Sequence, residues 1–79
     1  MAKFGRRTTL ADQHVSQRVR EIRIKKGKTQ EQVAAHLKLT FQQVQKYESG
    51  ANRVSAGRLW QLSGLFNVPI SSFYRGLRP

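Results

Sequence analysis

The sequence predicts an all-α domain of five short helices, the second and third joined by a tight turn. Three observations carry that prediction. Apolar residues recur at three- and four-residue spacing and nowhere alternate as in a strand. The motif Thr-x-x-Gln stands twice, at Thr29 to Gln32 and at Thr40 to Gln43, eleven residues apart. Gly27, the Ser49-Gly50-Ala51-Asn52 cluster, and Asn67 with Pro69 punctuate the periodic stretches.

The elements follow in order. Residues 1–10 contain Lys3, Arg6 and Arg7 with no apolar period and read as a basic N-terminal arm. Asp12 is the expected N-cap of the first helix. In that helix Val15, Val19 and Ile22 share one face, while Arg18, Arg20, Lys25 and Lys26 mostly decorate the others, and Gly27 is the expected stop. Thr29 and Gln32 form a capping box, in which a hydroxyl and an amide satisfy orphan N–H groups at the start of a second helix. Val33, Ala34 and Leu37 supply its apolar face. Lys38 and Leu39 alone then separate it from the second capping box, too few residues for anything but a tight turn. The third helix turns Val44 and Tyr47 inward. Ser55 caps a fourth, whose stripe is Leu59, Leu62, Leu65 and Phe66, with Trp60 expected partly in the core and partly exposed. Ile70 to Tyr74 reads as a short fifth helix carrying Phe73 into the core. The domain thus runs over residues 11–76, with 77–79 as a tail.

Fifteen Lys and Arg against four acidic residues give a formal charge of +11, a field that attracts polyanions. Seventy-nine residues fit one small domain, so an effector-sensing or catalytic module is expected on another chain. With no cysteine there is no disulfide and no thiolate ligand or nucleophile, in keeping with a cytosolic protein. No apolar stretch approaches the ~20 residues of a membrane span, and none follows the basic start as a secretory signal requires. A cytoplasmic location with no membrane partner is the expectation. His14 and His36 are too isolated for a metal site. The serines have no companion base, and the glycines form no phosphate-binding loop. Neither an enzyme nor a metal or cofactor is expected.

Residues 29–50, TQEQVAAHLKLTFQQVQKYESG, resemble the helix-turn-helix of the lambda-repressor and Cro superfamily, the XRE-like regulators. The matching features are the T-Q-x-x-V-A opening, Leu39 with Thr40, the inward Val44, and the ending Tyr47-Glu48-x-Gly50. The likeness extends over roughly residues 13–76, through Val19-Arg20-Glu21-Ile22-Arg23 and Phe66-Asn67-Val68-Pro69-Ile70. It implies a compact five-helix lambda-repressor-like domain of bacterial or phage type. It also implies a sequence-specific transcriptional regulator of double-stranded DNA, with a recognition helix of about residues 41–49 in the major groove. Two positions depart from the family pattern: Lys38 stands where glycine is common, and Lys28 where an apolar residue is. A left-handed Lys38 would cost roughly 1 kcal/mol relative to glycine.

The major groove admits one α-helix, and side chains near that helix's N-terminus meet base edges. Thr40, Phe41, Gln42, Gln43 and Lys46 are therefore the expected readout set, with Gln45 an alternative to Lys46. Glutamine suits adenine N6 and N7; lysine suits guanine O6 and N7. Phe41 either packs on Leu37 or Leu39 or touches a thymine methyl. The resemblance further implies a phosphate beside Gln30 at the second helix's N-terminus, and backbone contacts from Asn52 and Arg53. Arg6 and Arg7 either enter an adjacent minor groove or are only diffusely attracted. The family commonly pairs residues where Arg23 and Glu48 stand, which implies a structural ion pair between the first and third helices.

One recognition helix offers few base contacts, so a homodimer on two half-sites is expected. Ile70, Tyr74 and Leu77 are left as an exposed apolar patch for that two-fold contact. Two other readings stay open: an antitoxin-type interaction module with an autoregulatory helix-turn-helix, which calls for an acidic or apolar tail, and a non-specific nucleic-acid-binding protein. A partner in the transcription machinery is left open.

Overall fold

A computed structural model describes residues 9–78. Over that range four α-helices precede a 3-10 helix: α1 (Leu10–Lys25), α2 (Gln30–Leu37), α3 (Phe41–Ser49), α4 (Ala56–Phe66), and the 3-10 helix Ile70–Tyr74. The fifth element is thus not the α-helix expected from sequence. Pro69 lacks an N–H and fixes the entry to a segment of only five residues, which winds with short bonds such as Ser72 N–H to the Pro69 carbonyl at 2.9 Å.

Helix α1 also begins earlier than expected. Thr9, not Asp12, is its N-cap: the Thr9 hydroxyl accepts from Asp12 N–H at 3.1 Å, and the Asp12 carboxylate accepts from Thr9 N–H at 2.9 Å. Asp12 therefore occupies the third helical position, where a negative charge also favours the positive end of the helix dipole. Leu10 is the first residue of α1 rather than part of an arm.

The C-terminal ends rest on left-handed residues. After α1, Gly27 has φ +71, and the N–H groups of Gly27 and Lys28 return to the Ile24 and Arg23 carbonyls. After α2 the same pair of bonds runs from Lys38 and Leu39 to Ala35 and Ala34, with Lys38 itself at φ +58. A lysine here tolerates the conformation that glycine adopts without strain, because the turn satisfies two carbonyls and lets Leu39 pack against the core. The Arg58 guanidinium adds a third tie at this end by donating to the Leu37 carbonyl at 3.2 Å.

Val15, Val19 and Ile22 of α1, Val33, Ala34 and Leu37 of α2, Val44 of α3, and Leu59, Leu62 and Phe66 of α4 form one core, sealed by Phe73. Val54, in the segment between α3 and α4, joins it. Trp60 does not: it is 71% exposed, on the solvent side of α4 next to the buried Leu59. Leu77 is half-buried rather than part of an open patch. Helix α1 lies at the centre, packing against α3, α4 and the 3-10 helix, while α2 packs against α3 and α4.

Candidate functional site

Helix α3 has two faces of different chemistry. Inward point Val44, fully buried, and Glu48, only 7% exposed, with Tyr47 half-buried beside them. Glu48 is held by two residues through three hydrogen bonds. Arg23 of α1 donates to both its oxygens, Nε at 2.6 Å and Nη2 at 3.1 Å, and Gln30 of α2 donates to Oε1 at 3.0 Å. The remaining Arg23 nitrogen, Nη1, reaches the Lys28 carbonyl at 2.8 Å. A fork-to-fork pair this well shielded fixes orientation as well as charge. It fastens α3 to α1 and α2 at one point. A second fastening lies two residues on, at the C-cap, where Gln13 Nε2 donates to the Gly50 carbonyl at 3.0 Å. Gly50 has φ +83 there, and any Cβ would collide with that Gln13 amide.

Outward point Gln42, Gln43, Gln45, Lys46 and Ser49, all exposed. Gln42, Lys46 and Ser49 recur at four- and three-residue spacing, opposite Val44. Glu48 is the one acidic residue of α3 and it faces inward, so the outer face carries a single charge, that of Lys46. Among the described residues the side chains of Gln42, Gln45 and Lys46 make no internal hydrogen bond, and their donors and acceptors face solvent. Such a face can present both donors and acceptors to base edges.

Thr40 and Gln43 differ from these. The Thr40 hydroxyl accepts from Gln43 N–H at 3.1 Å, and Gln43 Oε1 accepts from Thr40 N–H at 3.0 Å and from its hydroxyl at 3.3 Å. Both side chains are engaged in capping the helix they start. Phe41 is half-buried, with part of its ring left to solvent.

Of the backbone-contact candidates, Gln30 is half-buried and turned toward Glu48. Asn52 and Arg53 are exposed just beyond α3. Arg53 is also bonded to Asp12 across the fold, Nε to Oδ2 at 3.2 Å. Desolvation pushes the Asp12 carboxyl up, but the backbone and side-chain hydrogen bonds from Thr9, with the Arg53 guanidinium, bring it below its ordinary value. Arg6 and Arg7 lie outside the described residues. Of the dimer candidates, Ile70 and Tyr74 are 38% and 43% exposed.

Several positioning contacts escaped sequence reasoning. Gln13, the Thr9 to Asp12 box and the Asp12 to Arg53 bridge all hold the ends of α1 and α3. Only the Thr-x-x-Asp spacing had a local signal. On another flank of α1, Arg18, Glu21, Lys25, Lys26, Ile22, Val68, Ser72 and Arg75 line a cleft of about 240 Å³. Arg18 is already committed there, donating to the Ser72 carbonyl at 2.9 Å and to Glu21 at 3.0 Å. The bond from Arg18 to Glu21, with one from Gln17, holds the Glu21 carboxyl below its ordinary value. Among the described residues no three His, Cys, Asp or Glu side chains group as metal ligands, and no helix is long and apolar enough to cross a membrane.

The helix-turn-helix family profile matches residues 19–73, from the middle of α1 through Phe73. The chain is 49% identical over 63 residues to an uncharacterized HTH-type transcriptional regulator of Sinorhizobium medicae, covering 80% of this chain and 45% of that protein. It is 46% identical over 66 residues to an uncharacterized transcriptional regulator in the ATPase CF(0) region of Rhodospirillum rubrum, covering 84% and 61%. The chain spans about half the length of the curated relatives it matches. Among solved structures, the restriction-modification controller protein C.AhdI from Aeromonas hydrophila superimposes with a TM-score of 0.69 at 28% identity, over 76% of this chain and 91% of that one.

Proposed function

The chain belongs to the helix-turn-helix family, and on that premise we propose that it is a sequence-specific regulator of transcription that binds double-stranded DNA as a homodimer. The observation that carries the reading is the outer face of α3. Its inner face is fastened by Val44 and Glu48, while Gln42, Gln45 and Lys46 stand exposed without a hydrogen-bond partner among the described residues. A helix with its side chains is roughly 10 to 12 Å across, and the major groove is about 12 Å wide. In the groove Gln42 and Lys46 meet base edges, with Thr40, Phe41 and Gln43 at the leading end. Gln30, Asn52 and Arg53 hold the sugar-phosphate backbone, and Arg6 and Arg7 add basic contacts from the arm.

The names of the relatives, transcriptional regulators and a controller protein, support regulation rather than packaging of DNA. A homodimer would join through Ile70 and Tyr74, with Leu77 at the edge, and present two α3 helices about one DNA turn apart, roughly 34 to 36 Å. At +11 per chain, two subunits repel until phosphates neutralise them, so assembly is expected on DNA in the cytoplasm. The test is selection of bound duplexes from a random pool. An inverted repeat is the expected product, and recovery of no motif would sink specific recognition. Tyr74→Lys with Leu77→Lys should keep the helical signal and abolish cooperativity between half-sites; retained cooperativity would exclude this patch as the dimer contact.

A further inference from the structure

We infer that the fold fixes the hydrogen-bond polarity of Gln43, making it a reader that only donates and that selects guanine at its base position. The inference rests on the proposed docking of α3 in the major groove and goes beyond it by assigning one base preference to one residue.

A free glutamine amide is ambivalent, with a carbonyl that accepts and an NH₂ that donates, and it can rotate to match adenine or guanine. Gln43 has lost that freedom. The end of its amide nearest Thr40 faces a backbone N–H, which can only donate, so that end must be the carbonyl oxygen. The Thr40 hydroxyl donates to the same oxygen, Oγ1 to Oε1 at 3.3 Å. Two donors on Oε1 leave the NH₂ group as the free end of an exposed side chain on the flank of the outer face. Turning the amide over would set its NH₂ against the Thr40 N–H and orphan a donor of the helix start.

The base-side consequence follows from the groove chemistry. Guanine offers two acceptors, N7 and O6, to an NH₂ group. Adenine offers N7 beside an amine, which would confront Gln43 with a like donor, and cytosine offers only an amine. The order expected at this position is guanine first and cytosine last. Gln42 and Gln45, with no hydrogen bond among the described residues, keep both polarities. The three exposed glutamines of α3 are therefore not equivalent, although the sequence writes them alike.

Glutamate separates the two roles of Gln43, because Glu caps as well as Gln in this motif but has no hydrogen to donate. The experiment uses the full chain, its Gln43→Glu variant and its Gln42→Ala variant in parallel selections from one random duplex pool. Affinities are then measured at fixed salt on duplexes differing only at the affected base pair. Since a carboxylate also repels phosphate, the readout is the ratio of affinities for guanine and cytosine duplexes rather than either affinity alone. The expected result is that Gln43→Glu melts like the parent, with the same circular dichroism. It should change one base pair per half-site from guanine to cytosine and lower the guanine-to-cytosine ratio about tenfold or more. An unchanged motif and ratio with Gln43→Glu, while Gln42→Ala alters the motif, would overturn the inference and leave the docking of α3 intact. Recovery of no motif by the parent chain would overturn both. A parent preference for adenine that weakens when the adenine amine is removed from the duplex would also overturn it, since that loss requires an accepting Gln43.

Discussion

The inner and outer faces of α3 divide the work of one nine-residue helix. On the inner face Glu48 is gripped by Arg23 and Gln30, and Val44 is sealed in the core. On the outer face Gln42, Gln45 and Lys46 are exposed and make no hydrogen bond to another described residue. The contrast teaches that orientation and recognition are carried by different residues a single position apart, so each can be changed without the other. Gln43 and Thr40 are the exception, sitting where the two faces meet and serving the helix start with the same atoms that would reach DNA.

The largest expected effect breaks the inner face. Glu48→Ala leaves the Arg23 guanidinium buried without its partner, and should cost about 3 to 5 kcal/mol in denaturant titration, a large share of the stability of so small a domain. Replacing both partners by apolar residues, Arg23→Met with Glu48→Leu, should cost less than the single change. A milder single mutant would mean that the pair holds nothing.

The outer face should answer in the opposite way. Gln42→Ala is expected to leave the melting curve within about 0.5 kcal/mol of the parent. It should lower affinity for the selected duplex by about 1 to 3 kcal/mol with little change on random duplex. Equal losses on both DNAs would remove Gln42 from the readout set.

Between the two helices of the motif the expected effect is smaller. Lys38→Gly relieves a left-handed lysine and should stabilise the domain by roughly 1 kcal/mol, less any cost of a looser unfolded chain. Loss of stability would mean that the lysine stem makes a contact worth more than the strain.

Smallest is the tie between the N-terminus of α1 and the segment after α3. The Asp12 carboxyl sits lower in the folded chain than in the unfolded one. Its stabilising contribution is therefore fully present above the usual aspartate range and is lost as pH falls through its depressed value. Arg53→Ala should narrow that acid-side loss slightly and make the salt dependence of DNA binding shallower by about one unit. An unchanged salt slope would exclude Arg53 as a phosphate contact.

Much of this was legible from sequence because its physics is local. A capping box is written within four residues and an apolar face within two turns, so α2, α3, their turn and the inward Val44 followed directly. What escaped depends on distant partners or on short elements. Val54 is a lone apolar residue in a segment with no period. Thr9 opens a helix whose apolar face starts only at Val15. Five residues after Pro69 cannot distinguish a 3-10 from an α winding. Trp60 is expected to lie partly in the core, yet helical angle sends it outward beside the inward Leu59. At the candidate site, the outward glutamines could be read from their spacing to Val44. The bonds of Gln13 to Gly50, Arg53 to Asp12 and Gln30 to Glu48 join residues far apart in the chain and had no signature. The Arg23 to Glu48 pair was expected only through the family resemblance.

Whether the outer face of α3 is the surface that meets base edges can be read by nuclear magnetic resonance of the isotope-labelled chain titrated with its selected duplex and with a random one. The side-chain amides of Gln42, Gln43 and Gln45 should shift strongly with the selected duplex and little with the random one, while Arg18 and Arg75 beside the α1 cleft stay in place. Shifts concentrated at that cleft, with the α3 amides unmoved by either duplex, would contradict it.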